Sequence, residues 1–94
     1  RTLAHDDGEG RLRSARALAV LGPRAEPAVE ALARALTDPQ PGVRYWAAVA
    51  LGAIGDPAGP ALPALRVAGQ DPDPDVRAAA AAAISRMTRG DEEE

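Results

Sequence analysis

The chain contains no cysteine, no phenylalanine and no lysine, and aromatic residues make up only 2% of it. Without cysteine it has no disulfides, no thiolate metal sites and no thiol nucleophile. The compartment stays open, because cysteine-free proteins occur on both sides of a membrane. All eleven basic residues are arginine, and fourteen acidic residues bring the formal charge to -3. A generic polyanion binder needs a positive surplus to neutralise phosphates, so no nucleic-acid partner is expected. Nor is a membrane partner: the longest wholly apolar run, Ala78 to Ile84, is far below the roughly 18 residues that a spanning helix requires. What remains is 46% hydrophobic within 94 residues, mostly Ala, Leu and Val. That suffices for one small domain with a thin core, and low stability in isolation is the expectation. The chain opens on Arg1 rather than Met, so a further repeat or domain is expected to precede it.

The organising feature is an internal repeat. Asp38-Pro39-Gln40-Pro41-Gly42-Val43-Arg44 returns as Asp71-Pro72-Asp73-Pro74-Asp75-Val76-Arg77, 33 residues later. The same offset pairs Pro27 with Pro60, Ala28 with Ala61, Leu32 with Leu65, Ala47 with Ala80 and Ala50 with Ala83. Applied upstream, it aligns Arg11 with Arg44, Leu18 with Leu51, Gly22 with Gly55, and Arg1 and Leu3 with Arg34 and Leu36. The chain thus divides into units of about 1–22, 23–55 and 56–88, the first truncated inside its first helix. Residues 1–90 read as one domain and 91–94 as a disordered acidic tail.

Period and punctuation split each unit into two helices. In the second unit, Pro27 suits a first helical turn, while Val29, Leu32 and Leu36 fall at helical spacing. Asp38-Pro39 then ends the run, because a residue before proline is pushed out of the α region. This predicts a first helix over about 26–37. A second helix begins near Pro41 and buries Val43, Ala47, Ala50, Leu51 and Ile54 before Gly55 closes it. Asp73 is placed to cap the equivalent helix of the third unit, which runs to about Thr88. Gln40 fills that slot in the second unit and is expected to cap more weakly, and Asp7 fills it in the first. Gly69 replaces the core residue Leu36, so the first helix of the third unit is expected to be short or frayed.

A single helix pair cannot bury its apolar stripe, whereas stacked pairs share one continuous core. The Asp-Pro-x-Pro-x-Val-Arg turn, the Ala-Ala-x-Ala-Leu-Gly run at Ala47 to Gly52 and the Ile54-Gly55-Asp56-Pro57 exit resemble the HEAT repeats, in particular the HEAT-like repeats named after phycobilin lyases. The resemblance implies an all-α fold, an α-solenoid of about two and a half HEAT-like helix pairs. Val43-Arg44-Tyr45-Trp46-Ala47-Ala48 with the Gly55 exit also looks like the C-terminal HEAT-like region of some larger bacterial hydrolases such as sulfatases. A phycobilin-lyase-like subunit holding a chromophore or its acceptor protein is a further alternative, although no residue here suggests tetrapyrrole chemistry.

Nothing in the sequence supports catalysis or a cofactor. The one histidine, His5, stands beside Asp6 and Asp7, but a metal needs further ligands at fixed geometry, and the aligned segments of the other units are the interhelix turn. The hydroxyl residues lie in no nucleophile context, and the glycines punctuate helix ends rather than cradle phosphates. The recurring Arg11, Asp38, Arg44, Asp71 and Arg77 read as a structural ladder, with each carboxylate at a turn and each guanidinium in the first turn of the following helix.

The functional expectation rests on the second helices, which in HEAT solenoids typically line the concave face. With the apolar stripe turned inward, the outward positions are Leu12, Arg16 and Val20 in the first unit, Tyr45, Val49 and Ala53 in the second, and Ala78, Ala82 and Arg86 in the third. An apolar patch rimmed by arginine is a protein-docking pattern. The expected function is a non-catalytic interaction scaffold that docks a protein surface, either a separate partner or another domain of its own chain. Leu12, Arg16, Tyr45, Trp46, Val49 and Arg86 form the contact. Trp46 reads equally well as filling between repeats.

Overall fold

The computed structural model describes residues 8–92. Its elements run α1 (Gly8–Leu21), a 3-10 segment (Gly22–Ala28), α2 (Val29–Ala35), α3 (Pro41–Ile54), a second 3-10 segment (Asp56–Ala61), α4 (Leu62–Ala68) and α5 (Pro74–Glu92). No strand occurs among the described residues. The fold is an all-α, solenoid-like stack. The long helices α1, α3 and α5 lie side by side with α3 in the middle, and α2 and α4 form a second layer against α3 and α5.

The core is the seam between these layers. Val43, Ala47, Leu51 and Ile54 of α3 are buried, as are Leu32 and Leu36 behind them and Leu65, Val76, Ala80 and Ala83 in the next unit. Alanine supplies much of this surface, so helices approach closely and each residue contributes little buried area. Gly52 marks the tightest approach: a Cβ there would stand 3.0 Å from the Cα of Ala83 in α5.

Each long helix that leads into a further unit ends on a glycine with positive φ, Gly22 at 60° and Gly55 at 80°. A side chain would be strained in that conformation. The segments after these glycines depart from the expected helices. The run expected to be α-helical over 26–37 is 3-10 as far as Ala28, and the α-helix occupies only Val29–Ala35. Pro23 and Pro27 lack the amide hydrogens that an α-helical ladder needs, and Pro57 and Pro60 repeat the effect before α4.

Helix α4 is not shortened relative to α2, because each holds seven residues. Helix α2 already stops at Ala35, so the Leu36 position lies beyond the helix in both units. Gly69, with φ of -65°, continues the turn there and donates its amide to the Leu65 carbonyl at 3.0 Å. What Gly69 removes is core volume and not a helical residue.

Capping follows the expected contrast. Asp73 Oδ1 accepts from the amides of Asp75 (2.8 Å) and Val76 (3.4 Å), while Gln40 makes no side-chain cap. At the other end, α5 continues through Glu92. This takes the helix into the first two residues of the segment read from the sequence as an acidic tail. Arg1, Leu3, His5, Asp6, Asp7, Glu93 and Glu94 lie outside the described residues.

Candidate functional site

Two sets of side chains were singled out by sequence, and the structure places them on different parts of the molecule. The first is the arginine-aspartate ladder. Arg44 opens the first turn of α3, where its Nη1 donates to the carbonyls of Asp38 (2.7 Å) and Pro39 (3.2 Å) in its own unit. Its other edge reaches forward, Nε to Asp71 Oδ2 at 2.8 Å and Nη2 to Asp71 Oδ1 at 3.1 Å. Arg11 makes the same forward contact with Asp38, at 2.7 and 3.3 Å. Each carboxylate is thus held in fork geometry by the arginine of the preceding unit, 27 residues away. Each one also accepts the amide two residues on, Gln40 or Asp73, at 2.9 Å.

The Arg44–Asp71 rung is nearly closed to water, its side chains 14% and 8% exposed, whereas Arg11 of the other rung is 36% exposed over Asp38. Burial by itself raises the Asp71 pKa, but the Arg44 hydrogen bond, the Asp73 amide and the charges of Arg44 and Arg77 outweigh it, and the carboxyl sits below its usual value. Asp38 is lowered in the same way by Arg11, the Gln40 amide and the charge of Arg44. Arg77 repeats half of the pattern, with Nη1 donating to the carbonyls of Asp71 (2.8 Å) and Pro72 (3.2 Å). No carboxylate meets its other edge among the described residues.

The second set lies along the lengths of α3 and α5. Tyr45, Val49 and Ala53 of α3 face Ala78, Ala82 and Arg86 of α5 across an open groove of about 440 Å³ floored by Ala48, Gly52, Ala79 and Ala83. The row of second helices therefore brings Tyr45, Val49 and Arg86 together. Arg86 is partly committed there, since its Nε donates to the Gly52 carbonyl at 3.1 Å and ties the last turn of α3 to α5.

Leu12, Arg16 and Trp46 sit on the α1 side of Tyr45 rather than in the groove. Leu12 packs over Gly42, where a Cβ would lie 2.7 Å from its Cδ1. The Arg16 guanidinium stands 5.9 Å from the Trp46 ring centre, within cation-π range. Trp46 is half-buried against the core and meets Tyr45 edge-to-face, with ring centres 5.1 Å apart. It fills space against the core while part of the ring stays open to water. Val20, the outward residue nearest the end of α1, is 84% exposed.

The groove also contains residues that the outward-row argument missed. Asp75 lines it, and Asp73 and Asp75 together with Tyr45, Pro41 and Gly42 surround an adjoining hollow at its N-terminal mouth. The signal was available in the repeat itself. The third unit carries Asp75 and Asp73 where the second carries Gly42 and Gln40, so these positions depart from the pattern on the side that faces the groove.

Thr37 donates its hydroxyl to the Arg34 carbonyl and Thr88 to the Ile84 carbonyl, at 2.9 Å each. No group of three or more His, Asp or Glu that could hold a metal occurs among the described residues. No helix there is long and apolar enough to cross a membrane.

Comparison with known proteins agrees with the architecture. A family model described as HEAT repeats matches residues 1–85. No curated protein and no solved structure matches the chain. The paired helices, the 33-residue period and the extent of that match make this chain a member of the HEAT repeat family.

Proposed function

We propose that the chain is a non-catalytic scaffold module that docks a protein surface through the face formed by α1, α3 and α5. HEAT repeats generally serve as protein-interaction scaffolds, which supports the class of activity. The choice of face rests on one observation: the groove between α3 and α5 is walled by Tyr45, Val49, Ala53, Ala78 and Ala82, with few polar atoms except at its two ends. Water in such a groove is released when an apolar surface fills it, at about 25 cal/mol per Å² of apolar area buried. In this reading Leu12, Trp46 and Arg16 extend the contact on the α1 side, and Arg86 orients the partner at the far end. The partner surface belongs either to a separate protein or to another domain of the same polypeptide. An upstream sulfatase domain in the parent reading frame would favour the intramolecular contact.

Selection of a random-peptide phage library on the immobilised chain tests the face. Selected peptides are expected to lose binding at least tenfold to a Tyr45→Asp, Val49→Asp double variant whose far-UV helical signal is unchanged. Peptides that bind the double variant as well as the original chain remove the assignment.

A further inference from the structure

Helices α1, α3 and α5 make the same lateral contact twice, α3 on α1 and α5 on α3. Each long helix therefore has a leading face, turned toward the following unit, and a trailing face turned toward the preceding one. At the two ends of the stack one face of each kind stays open among the described residues. On the leading side Ala15 and Ala48 are buried, while Ala81, the next residue at the 33-residue spacing, is exposed together with Ser85. On the trailing side Ala50 and Ala83 are buried and Ala17 is exposed. Leu21 is 45% open to water, where Ile54 and Met87 at the equivalent positions are 2% and 7% open. The open positions are thus the two halves of one seam that the molecule already closes twice.

We infer that the chain associates head to tail with second copies of itself, α5 of one copy receiving α1 of the next as α3 receives α5. Continuity with the internal seams selects this occupant. Gly52 lies against Ala83, and the same superposition lays Ala17 of the next copy over Ser85. Arg86 reaches back to the Gly52 carbonyl, so Val20 of the next copy, which holds the equivalent place, is covered as well. The seam does not require glycine: the first unit carries Ala19 at the position of Gly52, and α1 still packs on α3. The ladder stops at this contact, because position 5 holds His5 where the other turns hold Asp38 and Asp71. Association therefore rests on burying small aliphatic groups, and a contact of this kind, below about 1,200 Å², is weak and reversible. Because the two faces differ, a bound copy leaves a fresh face at each end and further copies add in a row. The contact uses the edges of the stack and is independent of the docking groove between α3 and α5.

Sedimentation equilibrium from about 10 µM to about 1 mM, a range that reaches contacts of millimolar affinity, is expected to show a mass that rises with concentration and passes that of two copies. Ala17→Arg blocks the trailing face of α1, and Ser85→Arg blocks the leading face of α5. Both positions are exposed in the single chain, so an unchanged far-UV helical signal is expected. Each variant alone is expected to associate about tenfold more weakly or worse, because the contact would bury an unpaired guanidinium. Mixed in equal amounts, the two variants keep one intact face each and are expected to form a one-to-one pair that grows no further. The Tyr45→Asp, Val49→Asp variant is expected to associate like the original chain. A chain that stays monomeric across the whole range overturns the inference. So does a single arginine variant that associates as well as the original, or a mixture of the two that remains monomeric.

Discussion

Helices α3 and α5 carry equivalent residues 33 positions apart, yet they have different surroundings. Their inward rows match: Val43 and Val76, Ala47 and Ala80, and Ala50 and Ala83 are all buried. The rows that face the following unit do not. Ala48 and Gly52 are buried under α5, while their counterparts Ala81 and Ser85 are exposed. Arg44 is engaged on both edges, but among the described residues Arg77 has only its two carbonyls. The seam inside a helix pair is therefore specified within the pair, whereas the second buried face of a repeat exists only where another repeat covers it.

The sharpest way to break this comparison is to enlarge a residue at the covered position and at the uncovered one. Gly52→Leu forces atoms into the backbone of α5 at Ala83 and is expected to cost about 3 kcal/mol or more, lowering the melting temperature by over about 12 °C. Ser85→Leu is expected to stay within about 0.5 kcal/mol. Thermal denaturation of both variants reads the contrast, and equal effects would refute the picture of a one-sided α5.

The ladder gives a smaller contrast. Asp71→Ala leaves the enclosed Arg44 guanidinium without its carboxylate and is expected to cost about 2–3 kcal/mol. Arg77→Ala removes bonds to carbonyls at an exposed position, and about 1 kcal/mol is expected. Urea titrations followed by circular dichroism would order the two, and a larger loss for Arg77→Ala would mean that the terminal rung is closed by something else.

Acid sharpens the same comparison with the smallest effect. The pKa values of Asp38 and Asp71 are lowered from 3.8 in the folded chain. The unfolded chain therefore takes up protons first as pH falls. The stability contributed by the two rungs is fully present above about pH 4 and is lost as pH drops through the lowered folded values. The melting temperature of the original chain is expected to fall between pH 4 and pH 2 more steeply than that of Asp71→Asn, which lacks one of the titrating rungs. Parallel curves would place the acid sensitivity elsewhere.

How far the sequence could be read depended on the range of each interaction. The inward stripe of α3, the glycine at its end and the stronger cap at Asp73 were legible because each is decided within one or two helical turns. The stacked guanidinium and aspartate positions were legible as well, but their partners were not. The motif sets Asp38 six residues before Arg44, and only the stacking of units hands the Asp38 carboxylate to Arg11. The extent of α2 and α4 was misjudged because the prolines before them compress the entry into 3-10 turns. Asp75 escaped notice because an acidic residue in a first helical turn is ordinary, and its place at the groove mouth comes from the neighbouring Tyr45 and Gly42.

Periodicity, proline and glycine by themselves determined that this chain is a row of helix pairs with a small-residue seam, because these preferences act over a few residues and recur every 33. The tertiary structure alone decided which arginine holds which aspartate, which alanines become a floor and which a surface, and where the groove is charged. Each of those depends on the approach of units distant in sequence, and a close approach of that kind is set by packing and not by local propensity.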